Sequence, residues 1–330
     1  MKEALRSLAR VAAGVVVGVA LLIVCAGLLL RMPTIGSDPF PGGTRADPEL
    51  LRAHVEHLST KVGPRSANTP GGLDLAVDYI TSSFSSTHAV VSRQEYEVGR
   101  GSRKENIMAR FGPEAGRRVI LGAHYDAYGD FPGADDNASG TAGLLEIARL
   151  LDTRKLTSPV ELVAYSTEEP PFFGGAEMGS AAHARSLRST GVEVEAMICL
   201  EMIGYFTPRQ PVSTPLLYLM YPWRGDFVVI VGRWKDRSLA RRCKRSFRGA
   251  TDVRAVSYSG PVGFGSDLSD HRNYWAEGYP AVMVTDTAFW RNPNYHSAAD
   301  LPETLDYRRM AGVVDGVLAT VLHLVEDMER

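Results

Sequence analysis

Apolar and polar positions follow three different rhythms along the chain. Residues 11–30, VAAGVVVGVALLIVCAGLLL, carry no charge and are bounded by Arg10 and Arg31. A helix of about 20 residues spans about 30 Å, the thickness of a bilayer's hydrocarbon core, so this run predicts a transmembrane anchor in contact with lipid. The run exceeds the apolar part of a typical secretory signal, and no A-x-A cleavage pattern follows it. Val24 also precedes Cys25 where a lipoprotein signal carries a small residue. Lys2, Arg6 and Arg10 lie ahead of the span, and Arg31 is the only close basic residue after it. The positive-inside rule then leaves residues 1–10 in the cytoplasm and the rest outside. Residues 31–47, rich in Pro and Gly, read as a linker.

From residue 48 onward, helical and strand periodicities alternate. DPELLRAHVEHLSTKV and GGLDLAVDYITSSF are amphipathic helices, the first capped by Asp47 with Pro48 at its first position. RRVILGAHYD, PVELVAYST, VEAMICLE and YPAVMVTD are short apolar runs with β-branched residues, which predict buried strands. Helical stretches separate them at 139–152, roughly 175–190, 236–248 and 268–277, and a last helix covers about 307–326. The expectation is one α/β domain over 48–330, with a central, mostly parallel mixed sheet flanked by helices.

Composition adds little to this. Hydrophobic residues at 45% against 22% charged residues fit a globular chain, and a net charge of −2 argues against a nucleic-acid partner. With Cys25 in the apolar run, Cys199 and Cys243 are left either as buried free thiols or as one bridge. RRCKRSFR, residues 241–248, reads as a solvated helix face, with contact to anionic lipid as the alternative. His54, His57, His88, His183 and His323 are read as structural.

Charge density changes the picture. GAHYDAYGDFPGADDNASG, residues 122–140, places His124, Asp126, Asp130, Asp135 and Asp136 together with no Lys or Arg. Solvent, a basic segment elsewhere or a metal ion could offset those acids. In parallel sheets, ligands bind at the carboxyl ends of strands. There the chain delivers His124 and Asp126, Glu168 and Glu169, Glu201, and, from a loop after the fourth strand, His296. Each has a bland alternative: Asp136 as a helix cap, the Glu pair as an exposed loop, His296 as a packing residue. Their convergence on one rim favours a divalent cation site with nitrogen and oxygen ligands. The charges of Asp136, Glu169 and Glu201, together with one hydroxide, balance two divalent cations. Asp136, on a rigid turn, would bridge both. Glu168 would stand beside the ions unligated, where a general base belongs, and Asp126 would accept the other ring N–H of His124.

GAHYD, DDNASG, STEE, CLEMIGY and NYHSAAD, in this order and spacing, resemble the zinc-dependent exopeptidases of the M28 aminopeptidase family. The resemblance covers nearly all of 48–330, including VGPR and PGGLDLAVDYI at its start. It implies a co-catalytic pair of Zn²⁺ ions held by His124, Asp136, Glu169, Glu201 and His296, with Glu168 as general base. Tyr295 matches a tyrosine that supports the oxyanion in some members. One departure stands out: Glu201 occupies a position where the family's aminopeptidases usually carry Asp. PPFFGG after Glu169 is expected in the pocket wall, and His271 in SDHRNYW is a candidate substrate contact.

These expectations add up to a membrane-anchored metallo-exopeptidase acting on peptides outside the cytoplasm, most simply an aminopeptidase. The alternatives are a glutaminyl cyclase-like acyltransferase, which normally uses one zinc, and a non-catalytic membrane receptor or scaffold with a peptidase-like domain.

Overall fold

The computed structural model describes residues 2–99, 101–212, 221–263 and 265–330. In chain order the principal elements are α1 (Lys2–Arg31), α2 (Pro48–Glu56), α3 (Asp74–Ser85), β1 (Val90–Val98), β2 (Ser102–Phe111), β3 (Arg118–His124), α4 (Gly140–Leu151) and β4 (Val160–Tyr165). They continue with α5 (Gly179–Ser189), β5 (Val194–Glu201), β6 (Phe227–Arg233), α6 (Arg237–Ala250), β7 (Arg254–Gly260), α7 (His271–Ala276), β8 (Ala281–Thr285) and α8 (Tyr307–Asp327).

The strands form one eight-stranded mixed sheet in the order β1-β2-β4-β3-β5-β8-β6-β7. At its centre β4, β3, β5 and β8 run parallel, so all four carboxyl ends open on one rim. Alternation along β3 sorts the two faces. Val119, Leu121 and Ala123 join the core beneath α2, α3, α4, α6 and α8, while Ile120 joins a smaller core with α5 and α7. Asp47 caps α2 as expected, accepting the backbone N–H of Glu49 at 2.9 Å.

Four strands were not foreseen. β1 and β2 form an antiparallel hairpin at the sheet's edge, where VVSRQEYEV alternates polar side chains over a largely exposed surface. β1 buries only Val98 fully, and β2 buries alternate residues, so neither shows the apolar runs that mark the central strands. β6 and β7 pair in parallel at the opposite edge, and β6 runs antiparallel to β8. Cys199 and Cys243 are both buried free thiols.

α1 has a mean hydropathy of 2.8 over its apolar part, long and apolar enough on composition to cross a membrane. Its carboxyl end is tied to the domain. Lys244 Nζ donates to the carbonyls of Arg31 at 2.9 Å and Met32 at 2.5 Å, and Ser257 Oγ also donates to Arg31 O at 2.6 Å. Residues 32–47 contain no helix or strand, yet they are docked. Arg245 pairs with Asp38, Arg248 donates to Thr34 O, Arg45 meets Asp315, and Phe40 packs on the main core. The basic stretch of α6 therefore does not simply face solvent. It grips the segment leaving α1, because Lys244, Arg245 and Arg248 on one helix serve open carbonyls and the Asp38 carboxylate of that irregular segment. Where Gly249 meets this strap, a Cβ would overlap the carbonyl oxygen of Asp38.

Gly249→Ala should therefore dislodge the strap and destabilise the domain by about 1–3 kcal/mol, the usual cost of overpacking a closed contact. Denaturant unfolding of the full chain checks this, and a parent-like midpoint would mean that the strap does not depend on that contact.

Candidate metal centre

The four parallel strands deliver the expected residues to one place. β3 ends at His124, and β4 runs into Ser166-Thr167 and the Glu168–Glu169 pair. β5 ends at Glu201, and the loop after β8 carries His296. Several of these positions hold a left-handed backbone without being glycine: Thr167 before the Glu pair (φ +59°), Met202 after Glu201 (φ +51°) and His296 itself (φ +52°). Such conformations persist only where surrounding contacts impose them.

Asp136 sits at the hub. Its Oδ1 lies 3.4 Å from His124 Nε2, and its Oδ2 lies 3.1 Å from His296 Nε2. Glu201 Oε2 stands 3.3 Å from His124 Nε2, and Glu169 Oε2 stands 3.1 Å from His296 Nε2. Two arms thus share one carboxylate, each arm with its own imidazole and its own glutamate. Ligands held about 2.1 Å from one tetrahedral cation lie about 3.4 Å apart, which matches this spacing. The donor set fits a metal in a second respect. His124 Nε2, His296 Nε2 and Glu169 Oε1 are buried atoms without a hydrogen-bond partner, a costly arrangement unless a cation completes them. Glu168 Oε2 is farther off, 4.0 Å from His124 Nε2.

Electrostatics agree with this crowding. Burial, with Glu201 and Glu169 nearby, drives the Glu168 carboxyl well above the ordinary range despite His124. Burial and Asp136 push Glu169 to about 8. Burial works against ionising Asp136 too, but the His124 and His296 rings beside it outweigh that and hold the carboxyl low.

The supporting contacts were only partly foreseen. Asp126 is fully buried, and the His124 Nδ1 edge lies 3.2 Å from its carbonyl and 3.4 Å from its carboxylate. The carboxylate itself accepts the backbone N–H groups of Glu168 at 3.2 Å and Glu169 at 3.1 Å, so Asp126 locks the Glu pair as well as the ring. Asp300, last residue of NYHSAAD, repeats the device by accepting the N–H groups of Asp135 at 3.0 Å and Asp136 at 3.1 Å. Ser269 Oγ donates to Glu201 Oε2 at 2.6 Å. Asn137 ties the Asp136 turn to the end of β5 through Leu200 O and the N–H of Met202.

The basic group absent from 122–140 comes from VGPR. Arg65 is fully buried and donates to Tyr125 O, Leu58 O, Pro132 O and Gly133 O at 2.7–2.9 Å, bracing the loops that carry His124 and Asp136. Burial lowers its pKa to about 10, opposed by Asp300, Asp126, Asp136 and Glu169, so it stays charged at neutral pH. The acid-rich loop lacking any cation was the signal that could have singled Arg65 out.

Tyr295 lines the pocket and stacks on His296 with ring centroids 3.8 Å apart. Pro170 and Phe173 of the PPFFGG segment line it too. His271 does not reach the pocket. It is fully buried, its Nε2 donates to Ser266 O at 2.8 Å, and its ring meets Trp275 edge-on. Burial lowers its pKa to about 4, so it is a neutral packing group that braces the 266–270 turn rather than a substrate contact. The polar neighbours in SDHRNYW carry no sign that α7 turns this face inward, burying His271 with Tyr274 and Trp275.

Comparison with known proteins places the chain. The profile described as Peptidase family M28 matches residues 106–321. YfbL, an uncharacterized protein of Escherichia coli K12, is 45% identical over 286 residues, covering 83% of this chain and 87% of its own. Leucine aminopeptidase 1 of Blastomyces gilchristii is 27% identical over 271 residues, covering 78% of this chain and 64% of its own, so this chain spans less than two thirds of that relative. Among solved structures, the glutaminyl cyclase of Porphyromonas gingivalis shares the fold, with a TM-score of 0.66 at 22% identity over 86% of this chain and 99% of that one. With its profile match running from β2 into α8 and its strand ends bearing the expected His and carboxylate residues, this chain belongs to peptidase family M28.

Proposed function

We propose that the protein is a membrane-anchored zinc exopeptidase that removes residues from the amino end of peptides. The observation that carries this reading is the pair of donor sets sharing Asp136, one with His124 and Glu201, the other with His296 and Glu169. When bound there, two Zn²⁺ ions would polarise the scissile carbonyl and acidify the attacking water. Glu168, buried with its Oε2 4.0 Å from His124 Nε2, farther than the nearest oxygens of Asp136 and Glu201, would take a proton from the attacking water and return it to the departing amine. Asp126 keeps that carboxylate in place through the backbone of the Glu pair. Tyr295, in the pocket wall next to His296, is positioned to hydrogen-bond the oxygen on which charge develops.

The cavity above the acids, about 180 Å³, supports the aminopeptidase direction. Its floor is carboxylate and its walls include Phe173, Val229, Val231, Leu268, Met283 and Trp290, and no Lys or Arg lines it among the described residues. Such a pocket suits an apolar side chain next to a cationic amine and offers nothing to a peptide's terminal carboxylate. The two-armed donor set favours this reading over a cyclase, which normally uses one zinc. α1 would anchor the enzyme with residues 1–10 in the cytoplasm and the catalytic domain outside.

Glu168→Gln should retain two zinc ions per chain while kcat on aminoacyl chromophores falls about 100- to 10,000-fold, with KM little changed. Glu169→Gln should lose zinc. Metal analysis beside steady-state kinetics decides: the reverse pattern exchanges the two roles, and a parent rate in Glu168→Gln defeats the mechanism. Cyclisation of amino-terminal glutamine by the parent, without hydrolysis, would favour the cyclase, and metal uptake without turnover of any peptide would favour a receptor.

A reporter fused after Arg330 should be active only on the extracytoplasmic side. Cytoplasmic activity, or a mature amino terminus beyond residue 25, would overturn the anchor.

A further inference from the structure

The two imidazoles of the site are oriented by different forces. His124 is fully buried, and its Nδ1 edge faces the carbonyl and carboxylate of Asp126, which turns Nε2 towards Asp136 and Glu201. His296 has no such partner. Its side chain is about one-fifth exposed, its backbone is left-handed, and no hydrogen bond reaches its Nδ1 among the described residues. Instead its ring lies between two others. Tyr128 covers one face at a centroid distance of 4.0 Å and an interplanar angle of 1°, and Tyr295 covers the other at 3.8 Å and 14°. The row continues outward to Phe131 beyond Tyr128 and to Phe289 beyond Tyr295.

We infer that Tyr128 is a positioning residue for His296, its ring face doing what a hydrogen-bond acceptor on the second nitrogen usually does for a metal-ligating histidine. The inference rests on the two-zinc reading above. Rotating the imidazole about its Cβ–Cγ bond would drive a ring edge into a tyrosine face on either side. Sliding within its own plane is the motion left, and that keeps Nε2 directed at Asp136 and Glu169, both 3.1 Å away. Tyr295 is the chain neighbour of His296 and moves with it. Tyr128 comes from the loop after β3, so its ring ties the His296 imidazole itself to that loop, beside the Asp300 and Asn292 bonds that hold the rest of the 292–300 segment there.

Stacking orients a ring but does not make it more basic, whereas an acceptor at Nδ1 does both. The ion beside His296 should therefore be held less tightly than the ion beside His124. Tyr128 is 37% exposed, so shortening it opens no buried cavity.

The test is competition between a fluorescent chelator and the full-length chain in detergent micelles, with zinc alone as the probe and melting curves in parallel. The parent should bind two equivalents in unequal steps. Tyr128→Ala should leave the tighter step unchanged and weaken the looser one about 10- to 100-fold. Tyr128→Phe, which keeps the ring face, should restore the parent curve. Parent-like zinc binding in Tyr128→Ala overturns the inference, as does Tyr128→Phe failing with it, or both steps weakening together with a lowered melting temperature. A parent chain that takes up no zinc would overturn the metal reading itself, and this inference with it.

Discussion

Buried like charge is the constraint around which the rest of this protein is arranged. Two carboxylates about 4 Å apart repel by about 4 kcal/mol even at an effective dielectric constant near 20, and this pocket gathers Asp136, Glu168, Glu169 and Glu201 around two imidazoles. With Arg65 as a fixed cation nearby, the upward displacement of Glu168 and Glu169 shows that protons would compete for the surplus charge. A divalent cation that displaces those protons couples its binding to pH and to the stability of the loops around it. The four parallel strands matter because they bring acids distant in sequence to one rim, Glu201 at the end of β5 and the others in the segments that follow β3 and β4.

Holding such a cluster requires more than strand ends. Asp126 and Asp300 each spend both carboxylate oxygens on two consecutive backbone N–H groups, one clamp behind the Glu168–Glu169 pair and one behind Asp135–Asp136. Arg65 supplies the complementary pattern, a guanidinium satisfied wholly by backbone carbonyls. Charge is thus used here to fix backbone. That explains how non-glycine residues stay in left-handed conformations at the point where their side chains must converge.

The sheet's centre was legible because buried parallel strands are continuous apolar runs, and Glu168, Glu169 and Glu201 were legible because each follows such a run closely. The edges were not. β1 carries mostly polar, exposed residues, whereas FVVIVG of β6 is a continuous buried apolar run whose signal was present in the sequence. Residues that act through backbone hydrogen bonds were legible only as members of motifs. Arg65 and Asp300 end VGPR and NYHSAAD, but nothing in their spacing says which carbonyls or N–H groups they meet. Tyr128 carries no signal in its local pattern, since stacking on His296 joins loops 168 residues apart in the chain (296 − 128). His271 is the converse case, a polar residue in a polar stretch that the fold turns inward.

The docked strap has a mechanical consequence. Sixteen residues, 32–47, would extend to about 50 Å as a loose tether and would let a domain roam over a wide hemisphere of bilayer. Bound along α6 and α8, with Lys244 closing the end of α1, that length is taken up against the domain's own flank. With α1 in a membrane, the rim would then keep a set bearing to the lipid plane, much as a figurehead keeps its bearing to the hull. Substrate would be selected by how far its free end stands off the surface as well as by its side chain.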